Sequence, residues 1–189
     1  MIEIKCLFDL VLALVLSLFL APIIIIIWIA IKLEDGGPSL YWSQRMGILN
    51  HLFSMPKFRS MKLNTPQVAT HLLNDPDLYL TYVGKFLRKS SLDEIPQLWS
   101  VLKGDMSFVG PRPALFNQED LILLRTQKNI HHLKPGITGW AQINGRDDIS
   151  IPAKVELEDF YMSHQSFLFD LKIIWLTFFK VISKEGVKH

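Results

Sequence analysis

The chain has few of the residues that build disulfide or zinc sites, and almost no excess of charge. Its 189 residues include a single cysteine, Cys6, which excludes an internal disulfide and a cysteine-based zinc site and fits a reducing compartment. None of its six histidines pair at the H-x-x-x-H spacing of a helical zinc site. The formal net charge of +2 is too small for the basic face that nucleic-acid binding requires, so we expect no nucleic-acid partner.

Charge is also missing from a long stretch near the N-terminus. Hydrophobic residues make up 49% of the chain, and the excess collects in the range Leu10–Ile31, which holds no charged residue. As a helix this range reaches about 33 Å, enough to cross the apolar core of a bilayer. Asp9 lies at its start, Pro22 lies within it, and Lys5 and Lys32 flank it.

The flanking lysines and the proline bear on how this segment meets a membrane. Lysine favours the cytoplasmic side, and one lysine at each end gives no asymmetry. A proline inside a helix removes a hydrogen bond and favours a bend, here near Ala21. A re-entrant membrane helix over residues 1–33, with both ends at the cytoplasmic face, satisfies both observations. A single span kinked at Pro22 is the alternative, and a cleaved signal peptide is disfavoured because no small-residue cleavage site follows.

The globular part, residues 34–189, starts at a run of turn residues and shows no internal repeat. The sequence predicts an α+β fold that is mostly helical with a few short strands. Residues 64–77 are predicted as a loop, and residues 45–47 as the turn between two strands. Alternation and helical spacing place the elements as follows: strands Leu40–Gln44 and Leu52–Phe58, and helices Tyr79–Leu87, Ile95–Leu102 and Gln118–Ile130.

The C-terminal segment, at about residues 167–182, predicts an amphipathic helix with an aromatic-rich apolar face. Asp170, Lys172 and Lys180 interrupt that face. Such a helix either packs on the protein core or lies in the lipid headgroups, and the sequence favours neither.

The adjacent carboxylates Asp93 and Glu94 are the main candidates for chemistry. Ser91 and Glu94 fit the S-x-x-E capping box, which would put the pair in the first turn of a helix. Pro96 fits better if the helix begins at Asp93, since proline is tolerated in a first turn. In either case the pair lies at a helix N-terminus, where ionised carboxylates and phosphate are both favoured. Helix capping alone is the alternative interpretation.

Cations close to the pair in sequence, or predicted to lie on a strand, strengthen the chemical interpretation. They suit a diphosphate, and the rigid turn at residues 110–113 would fix one guanidinium. The cations are Lys57, Arg59, Arg88, Lys89 and Arg112.

Three ordered blocks, together with the apolar N-terminal helix, carry a family resemblance over nearly the whole chain. The chain resembles the small bacterial monotopic phosphoglycosyl transferases, the PglC-like members of the bacterial sugar transferase family. The blocks are KFRSM at residues 57–61, residues 88–113, and KPGITGWAQINGR at residues 134–146.

The resemblance implies transfer of a phospho-sugar from a UDP-sugar to a polyprenyl (undecaprenyl) phosphate, with release of UMP and with Mg²⁺ as cofactor. This would be the first membrane step of bacterial glycan assembly, on the cytoplasmic face of the inner membrane, with membrane lipids and downstream glycosyltransferases as candidate partners. By analogy Asp93 is the nucleophile that forms a covalent aspartyl phosphosugar, and Glu94 binds the metal. Phosphate-binding roles fall to Arg88 and Arg112, and to Lys57 and Arg59. Nucleotide-binding roles fall to Pro111 and Arg146.

One feature departs from the resemblance. The family breaks its membrane helix at a Ser-Pro pair, whereas this chain has Ala21-Pro22 and so lacks a hydroxyl that could bond a freed carbonyl. Two other functions remain as alternatives. A magnesium-dependent membrane phosphohydrolase would transfer to water, and a non-catalytic subunit of a glycan assembly complex would need neither carboxylate.

Overall fold

The computed structural model describes residues 2–65, 75–145 and 149–183, and its mixed, mostly helical architecture confirms the predicted fold class. The α-helices are α1 Ile2–Asp35, α2 Tyr82–Ser90, α3 Leu98–Lys103, α4 Glu119–Gln127, α5 Trp140–Asn144, α6 Ile151–Ser163 and α7 Phe167–Ser183. The strands are β1 Leu40–Met46, β2 Leu52–Phe58, β3 Ser107–Val109 and β4 Gly136–Thr138. Short 3-10 helices occupy Ile48–Asn50, Pro76–Tyr79, Leu92–Gln97 and Ile130–His132.

Helix α1 lies along the globular part of the protein. Its 34 residues extend about 51 Å and remain helical on both sides of Pro22. One stripe at helical spacing packs on the core, with Ala13, Ile27 and Ile31 buried. The opposite face exposes large apolar side chains such as Phe19, which is 76% exposed. Of the helices described, α1 is the one long and apolar enough to cross a membrane, and its exposed face accounts for membrane association of the chain.

Both ends of α1 are bound to the same globular part. Near the start, Lys5 forms an ion pair with Asp170 of α7, and its Nζ also donates to the carbonyl of Val109 at 3.2 Å. The buried carboxylate of Asp9 accepts from the backbone N–H of Phe108 at 3.3 Å. These bonds satisfy the carbonyl of Val109 and the N–H of Phe108, two backbone groups of β3.

At the other end of α1, two acidic residues make equivalent contacts. Glu34 accepts from the backbone N–H groups of Tyr82 and Val83, at 2.6 and 3.3 Å, and so caps the start of α2. Asp35 forms an ion pair with Arg59. The helix therefore continues two residues beyond the predicted boundary at residue 33, because residues 34 and 35 are anchored to the domain.

Strands β1 and β2 form an antiparallel hairpin, in register from Leu40 opposite Phe58 to Met46 opposite Leu52. The prediction that residues 45–47 form the turn is wrong at Arg45 and Met46, which continue the strand. The N–H of Met46 donates to the carbonyl of Ala114 at 3.0 Å, a distant contact that a local pattern does not reveal. The turn instead contains the 3-10 helix Ile48–Asn50.

Strands β3 and β4 form a short parallel pair that fixes the turn at residues 110–113. The N–H of Gly110 donates to the carbonyl of Thr138, and the N–H of Gly136 donates to that of Pro111, both at 2.9 Å. A Cβ added at Gly110 would lie 2.2 Å from the carbonyl oxygen of Lys134, and one at Gly136 would lie 2.1 Å from the nitrogen of Gly110. Only glycine allows this approach of the two backbones.

Several predicted helices have different bounds. The helix predicted at Tyr79–Leu87 is α2, which begins only after Thr81, whose hydroxyl accepts from the N–H of Gly84. The helix predicted at Gln118–Ile130 is the shorter α4, because the left-handed backbone of Asn129, at φ 61°, starts a separate 3-10 turn. Helix α4 is also not purely a surface helix, since Arg125 is buried and paired with Glu158 of α6.

Helix α7 starts where the sequence predicts and ends one residue later, and it has two distinct faces. Asp170 and Ile173 are buried against the core, whereas Leu168, Trp175 and Phe178 are each at least 60% exposed. One face therefore packs on the protein and the other presents aromatic and aliphatic side chains outward. Of the loop predicted at residues 64–77, positions 66–74 lie outside the described residues.

Candidate active site

The two candidate carboxylates lie in the first turn of the 3-10 helix Leu92–Gln97. The predicted capping box is wrong, because Ser91 has left-handed backbone angles, φ 57° and ψ 18°, and its side chain forms no capping bond. Its backbone is used instead: the N–H of Ser91 donates to the carbonyl of Arg88, and the N–H of Glu94 donates to that of Ser91. Helix α2 ends and the 3-10 helix Leu92–Gln97 begins at the same residue, Ser91. This keeps Arg88 close to Asp93 and Glu94.

Glu94 is held by two cations from different parts of the chain. Lys57 of β2 donates to its Oε1 at 2.7 Å, and Arg112, from the turn after β3, donates to the same oxygen at 2.9 Å. Burial acts to raise the pKa of Glu94, but Arg112 and Lys57 outweigh it and hold that pKa well below its usual range. The carboxylate is therefore ionised at neutral pH.

Asp93 has a different environment from its neighbour. Burial raises the pKa of Asp93 above its ordinary value, and the charge of Glu94 adds to this, while Lys57 and Arg88 oppose it. A carboxylate that is poorly solvated and raised in pKa is a better nucleophile than one held by direct ion pairs. The environments of the two neighbours therefore suit different roles.

Lys57 and Arg88 are the two cations whose charges act on Asp93. Burial lowers the pKa of Lys57, which Glu94 partly offsets. Burial likewise lowers the pKa of Arg88, which the charge of Asp93 partly offsets, and its Nε donates to the hydroxyl of Ser60 at 3.0 Å. Arginine remains charged at any physiological pH, so Arg88 is a fixed positive charge beside the nucleophile candidate.

The turn at residues 110–113 presents Arg112 to Glu94. Pro111 and Pro113 are buried, and Arg112 between them is exposed, with its side chain 44% accessible. Two prolines fix the backbone angles on either side of the guanidinium. The turn therefore holds Arg112 at the edge of the site, whereas Pro111 is buried, and a nucleotide-binding role for Pro111 stays a prediction.

Two predicted site residues do not join this cluster. Arg59 lies beyond the end of β2, where its guanidinium contacts Asp35 and donates to the carbonyl of Pro38 at 2.7 Å. It anchors the end of α1 in this structure, and a phosphate-binding role for it stays a prediction. Arg146 lies outside the described residues.

Arg45 is a cation near the site that the sequence prediction assigned to a turn. It belongs to β1, and in the hairpin register Tyr41, Ser43 and Arg45 lie opposite Lys57, Met55 and Phe53. Burial lowers the pKa of Arg45 to about 10, the charge of Arg112 adds to this, and Glu94 opposes it. If the predicted strand Leu40–Gln44 is extended by one residue, the alternation of side chains places Arg45 on the same face of the hairpin as Lys57.

The cluster holds more positive than negative charge. Lys57, Arg88, Arg112 and Arg45 act on Asp93 and Glu94, so these six described side chains together carry two more positive charges than negative ones. Such an excess is suited to a diphosphate or a phosphate ester.

The carboxylates also offer oxygen ligands of the kind that Mg²⁺ prefers. Within the described residues no group of three or more His, Cys, Asp or Glu side chains is arranged to hold a metal. Mg²⁺ commonly takes one or two carboxylates and completes its shell with substrate phosphates and water. The donor set fits such a metal when phosphate oxygens supply the remaining ligands.

Comparisons with known proteins identify the family to which the chain is similar. The family model described as bacterial sugar transferase matches residues 2–184. The chain is 43% identical to the uncharacterized sugar transferase EpsL of Bacillus subtilis strain 168, over 98% of this chain and 90% of that protein.

Longer relatives have names that state an activity. The undecaprenyl-phosphate galactose phosphotransferase of Salmonella typhimurium strain LT2 is 36% identical over 95% of this chain. The UDP-glucose:undecaprenyl-phosphate glucose-1-phosphate transferase of Escherichia coli strain K12 is 41% identical over 91%. The chain spans 40% and 39% of the length of these two proteins.

Proposed function

This chain belongs to the bacterial sugar transferase family, and from that membership we propose that it transfers a sugar phosphate from a UDP-sugar to polyprenyl phosphate and releases UMP. The observation that carries the proposal is the Asp93–Glu94 pair. Glu94 forms ion pairs with Lys57 and Arg112, whereas among the described residues Asp93 is influenced by Lys57 and Arg88 through charge rather than by a direct ion pair. Two named relatives act on undecaprenyl phosphate, which supports the same lipid acceptor here.

The reaction proceeds in two displacements at one phosphorus atom. A carboxylate oxygen of Asp93 attacks the β-phosphate of the UDP-sugar, an O–P bond forms, and the bond from that phosphorus to the bridging oxygen breaks as UMP leaves. A phosphate oxygen of the polyprenyl phosphate then attacks the same phosphorus and displaces Asp93. The product is a polyprenyl diphosphate sugar, and the carboxylate is regenerated.

The chain's cations stabilise the charge that moves in each displacement. Arg88, whose charge acts on Asp93, and Lys57, which donates to Glu94 and also acts on Asp93, offset charge on the phosphoryl group under attack. Arg112 lies at the exposed edge, where the leaving phosphate of UMP would depart. Glu94 would hold Mg²⁺ against the diphosphate, and a bound Mg²⁺ would supply Lewis-acid neutralisation of the phosphate oxygens.

The anchoring of α1 supports a monotopic arrangement at the cytoplasmic face. Lys5 and Asp9 bind the globular part at one end of the helix, and Glu34 and Asp35 bind it at the other. A helix that crossed a bilayer would put its ends on opposite faces, about 30 Å apart across the hydrocarbon core, where one water-exposed domain could not hold both. The UDP-sugar is soluble and the polyprenyl phosphate is confined to the membrane, so the site belongs at the interface.

A covalent-labelling experiment tests the proposal. The purified protein is incubated with Mg²⁺ and UDP-sugars labelled in the sugar, without polyprenyl phosphate, and protein-bound label and UMP are measured. We expect stoichiometric label and UMP with a cognate sugar, release of the label on addition of undecaprenyl phosphate, and neither product with Asp93→Asn.

The matched control is Asp105→Asn. Asp105 follows helix α3 and pairs with Lys103, which is not one of the site cations. This variant should label like the wild type. Retained UMP release by Asp93→Asn would refute the nucleophile assignment. Steady UMP release from wild type without any lipid acceptor would favour the phosphohydrolase.

A further inference from the structure

We propose that Arg45 is a positioning residue that fixes the turn at residues 110–113 and so sets where Arg112 meets Glu94 and the substrate diphosphate. This inference rests on the proposed function, because the diphosphate is the ligand that Arg112 would engage.

The side chain of Arg45 forms one hydrogen bond within β1 and a second one to the turn at residues 110–113. Its Nε donates to the hydroxyl of Ser43 at 3.0 Å, and Ser43 is buried. Its Nη1 donates to the carbonyl of Pro113 at 3.2 Å. Pro113 directly follows Arg112, so the bond from Arg45 restrains the Pro113–Ala114 peptide, one residue beyond the arginine. A planar guanidinium makes both bonds in one fixed orientation, which lysine cannot reproduce.

The backbone of β1 extends this restraint beyond the turn. The N–H of Met46 donates to the carbonyl of Ala114, and Arg45 forms an isolated antiparallel bridge with Leu115. The start of the turn is fixed separately, by the bond from Gly110 to Thr138. The turn is therefore tied at its start to β4 and at its end to β1, and Arg45 supplies the side-chain bond nearest to Arg112.

The charge of Arg45 gives a second reason for its placement. Arg45 and Arg112 are like charges close enough to influence one another, and both are attracted by Glu94. Like charges at short range repel, which disfavours collapse of Arg112 back onto β1.

A double-mutant cycle tests the proposal. The variants are Arg45→Gln, Arg112→Gln and the double variant in the full chain, with kcat and KM for the UDP-sugar measured in lipid nanodiscs. Misplacing a catalytic group by about 1 Å costs on the order of 100-fold in rate, so we expect Arg45→Gln to lower kcat by about 10- to 100-fold. In the Arg112→Gln background the same change should cost about twofold or less, because the residue it positions is already gone.

Two milder variants and one control keep the test decisive if Arg45→Gln folds poorly. Ser43→Ala removes only the acceptor for Nε, and Arg45→Lys keeps the charge, so both should lower kcat without lowering the melting temperature in proportion. Gln44→Ala, on the opposite face of β1, should match wild type, because the Gln44 side chain is exposed and donates to Ser54 across the hairpin.

Two failures are distinguishable in this design. Full additivity of the Arg45 and Arg112 effects, or an unchanged kcat in all Arg45 variants, would overturn the positioning role while wild type stays active. Absence of sugar-dependent UMP release by the wild type itself would overturn the proposed function.

Discussion

Lys5, near the start of α1, forms an ion pair with Asp170 in the first turn of α7, 165 positions further along the chain. The hydroxyl of Tyr161 also donates to Asp170, at 2.6 Å, and the side chain of Asp170 is only 4% exposed. Burial and this hydrogen bond raise the pKa of Tyr161 far above its usual value, so it remains a donor. The pair ties the membrane helix to the C-terminal helix.

We predict that Lys5→Met destabilises the protein. Removing one partner of a buried ion pair leaves the other charge uncompensated and typically costs about 3–5 kcal/mol. Thermal unfolding in detergent, followed by intrinsic fluorescence, should show a lower melting temperature. Lys172→Met is the matched control, because Lys172 is exposed on the same helix as Asp170.

Coupling between the two partners separates this pair from general damage. Lys5→Met combined with Asp170→Asn should lower the melting temperature by clearly less than the sum of the single changes. An unchanged melting temperature in Lys5→Met would mean that the ion pair does not hold α1 in solution.

The candidate pair Asp93 and Glu94 could be found from sequence because its signal is local, whereas its neighbours depend on distant contacts. Asp93 and Glu94 are adjacent, so wherever the chain goes they stay together. Arg45 was assigned to a turn because Arg-Met-Gly resembles one. It extends β1 because Met46 bonds to Ala114. No local pattern contains that partner.

The capping box failed for a related reason. The S-x-x-E pattern describes a helix that starts after a linker, but here α2 runs into the next 3-10 helix with only Ser91 between them. Ser91 must take the left-handed angles that end α2, and in that conformation its hydroxyl forms no capping bond. Tertiary continuity overrode the local motif.

The anchoring of both ends of α1 predicts where those ends can be labelled. Single cysteines at Glu3 and Lys85, both exposed, are introduced into a Cys6→Ser chain. A membrane-impermeant maleimide should label neither in intact cells and both after permeabilisation. Lys85 lies in α2, whose first residues are bonded to Glu34 near the end of α1, so it reports on which side of the membrane the globular part lies. Labelling of position 3 from outside intact cells, with position 85 protected, would establish a single span.

Removal of divalent metal should stop turnover if Glu94 holds Mg²⁺. We expect chelation to abolish UMP release and Mg²⁺ to restore it, because substrate phosphates alone would leave the charge on the diphosphate uncompensated. Glu94→Gln should raise the Mg²⁺ concentration needed for half-maximal rate as well as lower the maximal rate. Glu119→Gln, exposed in the first turn of α4, should change neither. A rate insensitive to chelation would remove the metal from the proposal.

Lys57 and Arg59 provide the closest matched comparison in the chain. Two residues apart they would share one face of a strand, but β2 ends at Phe58, and the two cations go to different partners. Lys57 contacts Glu94, whereas Arg59 contacts Asp35 at the end of α1.

We therefore predict opposite effects of the same change at the two positions. Lys57→Met should lower kcat/KM by about 100-fold or more, since removing one preorganised donor of transition-state charge commonly costs that much. Arg59→Met should lower the melting temperature while kcat/KM of the folded fraction stays near wild type. The melting temperature and kcat/KM of both variants are measured on protein purified in the same detergent. A large loss of kcat/KM in Arg59→Met without a change in stability would instead return Arg59 to the phosphate site, and would mean that the contact with Asp35 gives way when substrate binds.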